Sequence, residues 1–149
     1  MFEGSKVLVL QVSMIIVYMS VSTYFDCRWK RIPWWVQAMG VIFSFVNLIV
    51  KGDMPGIEEF IALIPGMILM LLSFVTKESI GYGDGVSVMI LGSIIGIRNC
   101  LWVICISLIL ISIVGALLMI LKRASKKTML PYVPFLFVAE SMMLIGMIL

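Results

Sequence analysis

Two aspartates in this chain have the residue type and the surroundings that hydrolysis requires. Asp26 directly follows an uncharged apolar run, and Asp84 stands within the sequence Gly-Tyr-Gly-Asp-Gly at positions 81–85. Two nearby carboxyl groups cannot easily both ionise, so they tend to share one proton. One can then accept a proton from a water molecule while the other donates a proton to a carbonyl oxygen. Asp26 and Asp84 are therefore candidates for a pair of catalytic acids.

The composition excludes several other kinds of site. The 149 residues contain no histidine, which rules out a triad, a metal site or a proton relay built on that side chain. Cys27, Cys100 and Cys105 have neither C-x-x-C spacing nor an even count, so they support neither a zinc site nor a disulfide framework. A pair of carboxyl groups acting on water needs none of the missing groups.

The elements that position the two acids are predicted to lie in a membrane. Apolar residues make up 62% of the chain and charged residues 13%, against about 45–50% and about 25% in soluble domains. A membrane-spanning helix needs about 20 apolar residues. Six runs of 12 to 22 residues are candidates: Val7–Phe25, Trp34–Val50, Phe60–Val75, Val86–Ile97, Cys100–Leu121 and, with one acid inside, Tyr132–Leu149.

Two of these runs need an extension to cross the membrane. The third run extends back to Ile57, and the fourth, of 12 residues, spans only if its helix begins near Gly83 and Arg98 reaches the far interface. The sequence therefore predicts an all-α polytopic membrane protein, a bundle of six transmembrane helices. Residues 1–149 would form a single integral-membrane domain.

The cationic residues predict the orientation of the bundle. Eight of them fall in loops on one side and three on the other, and the richer side is normally cytoplasmic. Both termini are therefore expected on the outer side of the membrane. The cytoplasmic set is Arg28, Lys30, Arg31, Lys77, Lys122, Arg123, Lys126 and Lys127, and the outer set is Lys6, Lys51 and Arg98.

This topology predicts that the two acids meet. Two crossings separate Asp26 from Asp84, which returns them to the same leaflet, and the short fourth span places Asp84 below the membrane surface. An ionised carboxylate there is costly unless it faces water or a partner, so a wet cavity is expected. A simpler interpretation stays open, in which Asp26 is an interfacial residue paired with Arg28 or Lys30 and the glycines form an ordinary turn.

Three motifs resemble those of the type IV prepilin peptidases. The residues from Asp26 to Ile32-Pro33 are similar to the family's first catalytic motif, an Asp followed by a basic stretch and Ile-Pro. Gly81-Tyr82-Gly83-Asp84 resembles its GxGD signature, and Pro131-Tyr132-Val133-Pro134-Phe135 resembles the Pro-x-x-Pro-Phe segment that opens its last helix.

The resemblance implies a membrane aspartic endopeptidase that removes the leader from prepilin-like proteins at the cytoplasmic face of a prokaryotic inner membrane. Asp26 and Asp84 would be the catalytic pair, supported by Gly81, Gly83, Ile32, Pro33, Pro131 and Pro134. Neither a metal nor an organic cofactor would be needed. The expected partners are the membrane protein substrate and membrane lipid, without nucleic acid. The substrate's pilus, secretion or competence system and the oligomeric state stay open.

Some residues depart from the family's pattern. Trp34, Val86 and Val133 replace a common Asn, Lys and small residue, which puts substrate detail in doubt more than chemistry. The resemblance is to the compact form of the family, without the cytoplasmic zinc-binding domain associated with N-methylation, so methyltransferase activity is not expected.

A non-catalytic membrane assembly or transport subunit, or an inactive relative, is the alternative function. Glu140 would be the prominent charge in that case, because an acid in mid-span is often functional. The interpretation favoured by the sequence is structural, with Glu140 hydrogen-bonded to Ser141 or to a neighbouring helix.

Overall fold

The computed structural model describes residues 2–52, 56–75, 81–121 and 130–148. Within these residues there are six α-helices and no strand, which confirms the predicted all-α class. The helices are α1 (Phe2–Trp29), α2 (Trp34–Lys51), α3 (Ile57–Val75), α4 (Tyr82–Ile95), α5 (Ile97–Ile120) and α6 (Val133–Ile148).

Four of the helices, α1, α2, α3 and α5, are long and apolar enough to cross a membrane. The predicted start of α3 at Ile57 is confirmed. Helices α4 and α6 are shorter, at 14 and 16 residues. Helix α6 begins at Val133, one residue after the start of its predicted run at Tyr132.

The boundary between α4 and α5 also differs from the prediction. The apolar run was expected to continue to Ile97, but α4 ends at Ile95 and α5 begins at Ile97. Gly96 separates the two helices with φ 82° and ψ 163°, a conformation that is essentially restricted to glycine. Hydropathy does not detect such a break, because the residues on both sides of it are apolar.

Helix α4 is the central element of the bundle. It packs against α1, α2, α3 and α5, and eight of its residues are buried, from Asp84 to Ile94. Its contact with α3 is a contact between backbones. A Cβ atom on Gly66 would lie 2.7 Å from the Gly85 carbonyl oxygen, and one on Gly85 would lie 2.9 Å from the Met70 nitrogen. Small residues of this kind let helices approach closely within a membrane.

The outer faces of the helices are apolar, with exposed side chains that include Ile42, Phe45, Phe60, Phe74 and Ile109. Extended apolar surfaces are rare on soluble monomers, and here they suit contact with lipid. Part of the predicted orientation depends on loop cations that lie outside the described residues, namely Lys77, Lys122, Arg123, Lys126 and Lys127.

Candidate active site

The two candidate acids line the same cavity at one end of the bundle. The last turn of α1 and the beginnings of α2, α4 and α6 surround this cavity, which has a volume of about 890 Å³. Asp26 and Asp84 are mostly buried, with 6% and 7% of their surfaces exposed. Residues 58 positions apart in the chain are thus brought to one site.

Asp26 is held by the beginning of α6. Helix α1 continues to Trp29, four residues past the apolar run, so Asp26 lies inside its last turns. One carboxylate oxygen of Asp26 accepts the backbone N–H of Val133 at 3.0 Å. This N–H is among the first of α6, which have no acceptor within the helix, and a helix N-terminus attracts negative charge.

The Pro-x-x-Pro segment places that N–H group. Pro131 lines the cavity, and Pro134 stands in the first turn of α6, where a missing N–H costs no helical hydrogen bond. Between them, the Tyr132 and Ser107 hydroxyls lie 2.8 Å apart, which ties the beginning of α6 to α5. The departure at Val133 leaves this contact with Asp26 intact, because the backbone provides the donor.

Asp84 lies in the first turn of α4, and the glycines around it make room for its carboxyl group. Gly81 precedes the helix, and its carbonyl oxygen accepts the Asp84 N–H at 3.0 Å. A Cβ atom on Gly81 would lie 3.0 Å from an Asp84 carboxylate oxygen. A side chain at position 81 would therefore press on the acid itself.

The first two motifs contact each other directly at Gly83. A Cβ atom there would lie 3.2 Å from the Ile32 side chain, so Gly83 allows the segment after Asp26 to pack on the segment before Asp84. Pro33 is the N-cap residue that precedes α2, and its carbonyl oxygen accepts the N–H groups of Val36 and Gln37. Four of the six supporting motif residues line the cavity, namely Ile32, Gly81, Gly83 and Pro131. Pro33 lies between two lining residues, and Pro134 lies in the first turn of α6 without lining the cavity.

Sequence reasoning missed three polar residues beside the site, Gln37, Tyr18 and Ser87. The Gln37 amide donates to the Gly83 carbonyl oxygen at 3.1 Å and accepts from the Tyr18 hydroxyl at 3.0 Å. The Tyr18 and Ser87 hydroxyls lie 3.1 Å apart. Two signals were available: Tyr18 is eight residues before Asp26, on the same face of α1, and Gln37 is a polar residue in an apolar run.

The rest of the cavity is lined partly by cationic side chains and partly by apolar ones. Lys30 and Arg31 line it together with the two acids, whereas Leu69, Leu108 and Ile111 provide an apolar side. Two of the residues that depart from the family's pattern, Trp34 and Val86, also line the cavity. The Trp34 side chain is 81% exposed.

Glu140 lies apart from this site. It does not line the cavity, it is 1% exposed, and neither carboxylate oxygen has a hydrogen-bond partner among the described residues. The expected bond to Ser141 is wrong. The Ser141 hydroxyl donates instead to the Phe137 carbonyl oxygen at 2.8 Å, the local bond that a serine within a helix commonly makes.

In the described part of the chain, no three acids or cysteines lie close enough together to hold a metal ion. Among the described residues, Cys27 and Cys105 are exposed and Cys100 is buried, all three as free thiols.

Comparison with known proteins assigns the family. No curated protein and no solved structure matched the chain. The type IV leader peptidase family matches residues 13–121, which include both aspartates and helices α2–α5. Because this match covers well over half of the sequence, the chain belongs to the type IV leader peptidase family, and the protein is of the membrane peptidase kind that its motifs predicted.

Proposed function

We propose that this protein is an active aspartic endopeptidase that removes the leader from pilin-like membrane proteins, with Asp26 and Asp84 as its catalytic residues. The observation that carries the proposal is the shared cavity: both carboxyl groups line it. The Asp26 carboxylate accepts the Val133 N–H at the beginning of α6, and Asp84 lies in the first turn of α4. Family membership supports a leader peptidase.

The surroundings of the two acids support a division of roles. Asp26 accepts the Val133 N–H at the positive end of α6, so we assign it the carboxylate that takes a proton from water. The water oxygen then bonds to the scissile carbonyl carbon, and Asp84 donates its proton to the carbonyl oxygen. In the second step the C–N bond breaks, Asp26 protonates the leaving amine, and Asp84 recovers a proton from the tetrahedral intermediate.

The shape and lining of the cavity support a substrate that is itself a membrane protein. Leu69, Leu108 and Ile111 offer an apolar wall to the hydrophobic helix of a precursor. An aromatic cluster of Tyr24, Phe25, Trp29 and Trp35 lies near the same end, as is typical of a membrane interface. We place this end at the cytoplasmic face, where a leader junction would reach the acids.

Matched carboxyl-to-amide changes test the proposal. Asp26→Asn and Asp84→Asn are each expected to lower the rate of leader removal from a co-expressed prepilin-like protein by at least about 100-fold, because each removes a proton donor or acceptor. Glu58→Gln, at an exposed position in the first turn of α3, is the control and should cleave normally. Intact and processed N-termini are distinguished by mass spectrometry, with insertion checked by membrane fractionation. Normal cleavage by both asparagine variants would refute the proposal.

A further inference from the structure

Gln37 is the one side chain of α2 that is hydrogen-bonded to the backbone of the Asp84 motif among the described residues. We propose that Gln37 is a positioning residue for Asp84, oriented by Tyr18 and Ser87. This inference rests on the proposed function, since it concerns how one of the two catalytic acids is held.

The bond from Gln37 acts on the peptide unit that carries Asp84. Its acceptor is the Gly83 carbonyl oxygen, at 3.1 Å from the Gln37 amide nitrogen, and the carbon of that carbonyl is bonded to the Asp84 nitrogen. A Cβ atom on Gly83 would lie 3.2 Å from the Gln37 amide nitrogen, and glycine leaves that space open for the amide. The Gln37 side-chain amide therefore contacts the backbone directly, and its hydrogen bond restrains the peptide plane between Gly83 and Asp84.

The direction of the hydrogen bonds follows from counting protons. The Tyr18 hydroxyl has one proton, which it donates to the Gln37 amide oxygen. Ser87 must then be the donor in its 3.1 Å contact with the Tyr18 oxygen. The chain runs from Ser87 to Tyr18 to Gln37 to Gly83, and it leaves the Gln37 nitrogen facing the Gly83 carbonyl oxygen. Tyr18 and Ser87 are buried, which strengthens such bonds relative to water.

The hydrogen-bonded chain joins three of the helices that surround the site. Tyr18 lies on α1, the helix of Asp26, and Ser87 lies on α4, one turn after Asp84. Gln37 lies in the first turn of α2, where its own N–H bonds to Pro33. One polar network thus relates the helix of the first acid to the helix of the second.

A matched pair of glutamines provides the test. Gln37→Leu is expected to lower kcat by about 10- to 100-fold with KM changed by less than about 2-fold, since small misplacements of a catalytic group are costly. Tyr18→Phe should cause a smaller loss of kcat, and Ser87→Ala a smaller one still. Gln11→Leu removes another glutamine bond between α1 and α2, 2.6 Å to Asn47 and away from the cavity, and should leave kcat within about 2-fold of the wild type.

The kinetic pattern separates positioning from substrate binding, because Gln37 also lines the cavity. A rise in KM without a fall in kcat would overturn the proposal, as would equal losses in the Gln37→Leu and Gln11→Leu variants. Absence of cleavage by the wild type would instead contradict the proposed function.

A second measurement needs no catalysis. Amide hydrogen exchange over residues 81–88 is expected to become at least about 3-fold faster in Gln37→Leu and to stay unchanged in Gln11→Leu, because the first turn of α4 loses a restraint. Unchanged exchange in Gln37→Leu would overturn the proposal whether or not the protein cleaves.

Discussion

Replacing Glu140 with leucine is expected to make the protein more stable while leaving the proposed peptidase activity unchanged. Glu140 is almost completely buried in α6, and both of its carboxylate oxygens lack hydrogen-bond partners among the described residues. Burying a polar group without a hydrogen bond costs about 1–3 kcal/mol in protein mutational data. Leucine has a similar volume and no polar atom, so Glu140→Leu should raise the free energy of unfolding by about that amount.

Denaturation in mixed detergent micelles, followed by circular dichroism, measures this gain. Glu140→Gln is the matched control, because it keeps a buried polar group and should gain less than the leucine variant. A loss of more than about 1 kcal/mol in Glu140→Leu would refute the reasoning, since losses of that size follow from breaking a buried hydrogen bond. Leader removal by Glu140→Gln also tests the transport alternative, which requires this variant to be more damaging than Asp26→Asn.

Two further predictions concern backbone conformations with positive φ. Gly96→Ala is expected to destabilise the protein by about 1–3 kcal/mol. Backbone strain alone would cause this loss, because no atom lies within 4 Å of the added Cβ. Gly146 is equally open but has no positive φ, so Gly146→Ala should cost nothing in the same denaturation assay. Lys30 has a φ of 51°. Replacing it with glycine should raise the free energy of unfolding by about 1 kcal/mol, and replacing it with alanine should leave that free energy unchanged. An equal gain in both Lys30 variants would show that the side chain, and not the backbone, causes the effect.

Much of the fold follows from the hydropathy of the sequence. The long apolar runs of α1, α2, α3 and α5 predicted helices that the structure contains, including the start of α3 at Ile57. The end of α1 could not be found in this way, because its last turn, from Asp26 to Trp29, is polar and aromatic. In that turn Asp26 contacts Val133, which is 107 residues away in the chain, and hydropathy along the sequence does not detect such a contact.

The sequence predicted the two acids of the candidate site, but not the residues that hold them in position. Counting crossings was enough to bring Asp26 and Asp84 to one end of the bundle, since topology alone decides which leaflet a residue occupies. The role of Gln37 depends on the rotation of α2 about its axis, which a run of apolar residues does not specify. Val133 departs from the family's pattern in its side chain, but the backbone N–H of Val133 makes the contact with Asp26.

The glycine contact between α3 and α4 decides which parts of the molecule can move. At Gly66 and Gly85 the backbones of α3 and α4 approach closely, so we expect these two helices to move together. Gly96 is the single residue between α4 and α5, and no atom lies within 4 Å of the position that its Cβ would occupy. Any displacement of α5 relative to α4 is therefore expected to pivot at Gly96, while the contact with α3 keeps Asp84 in place.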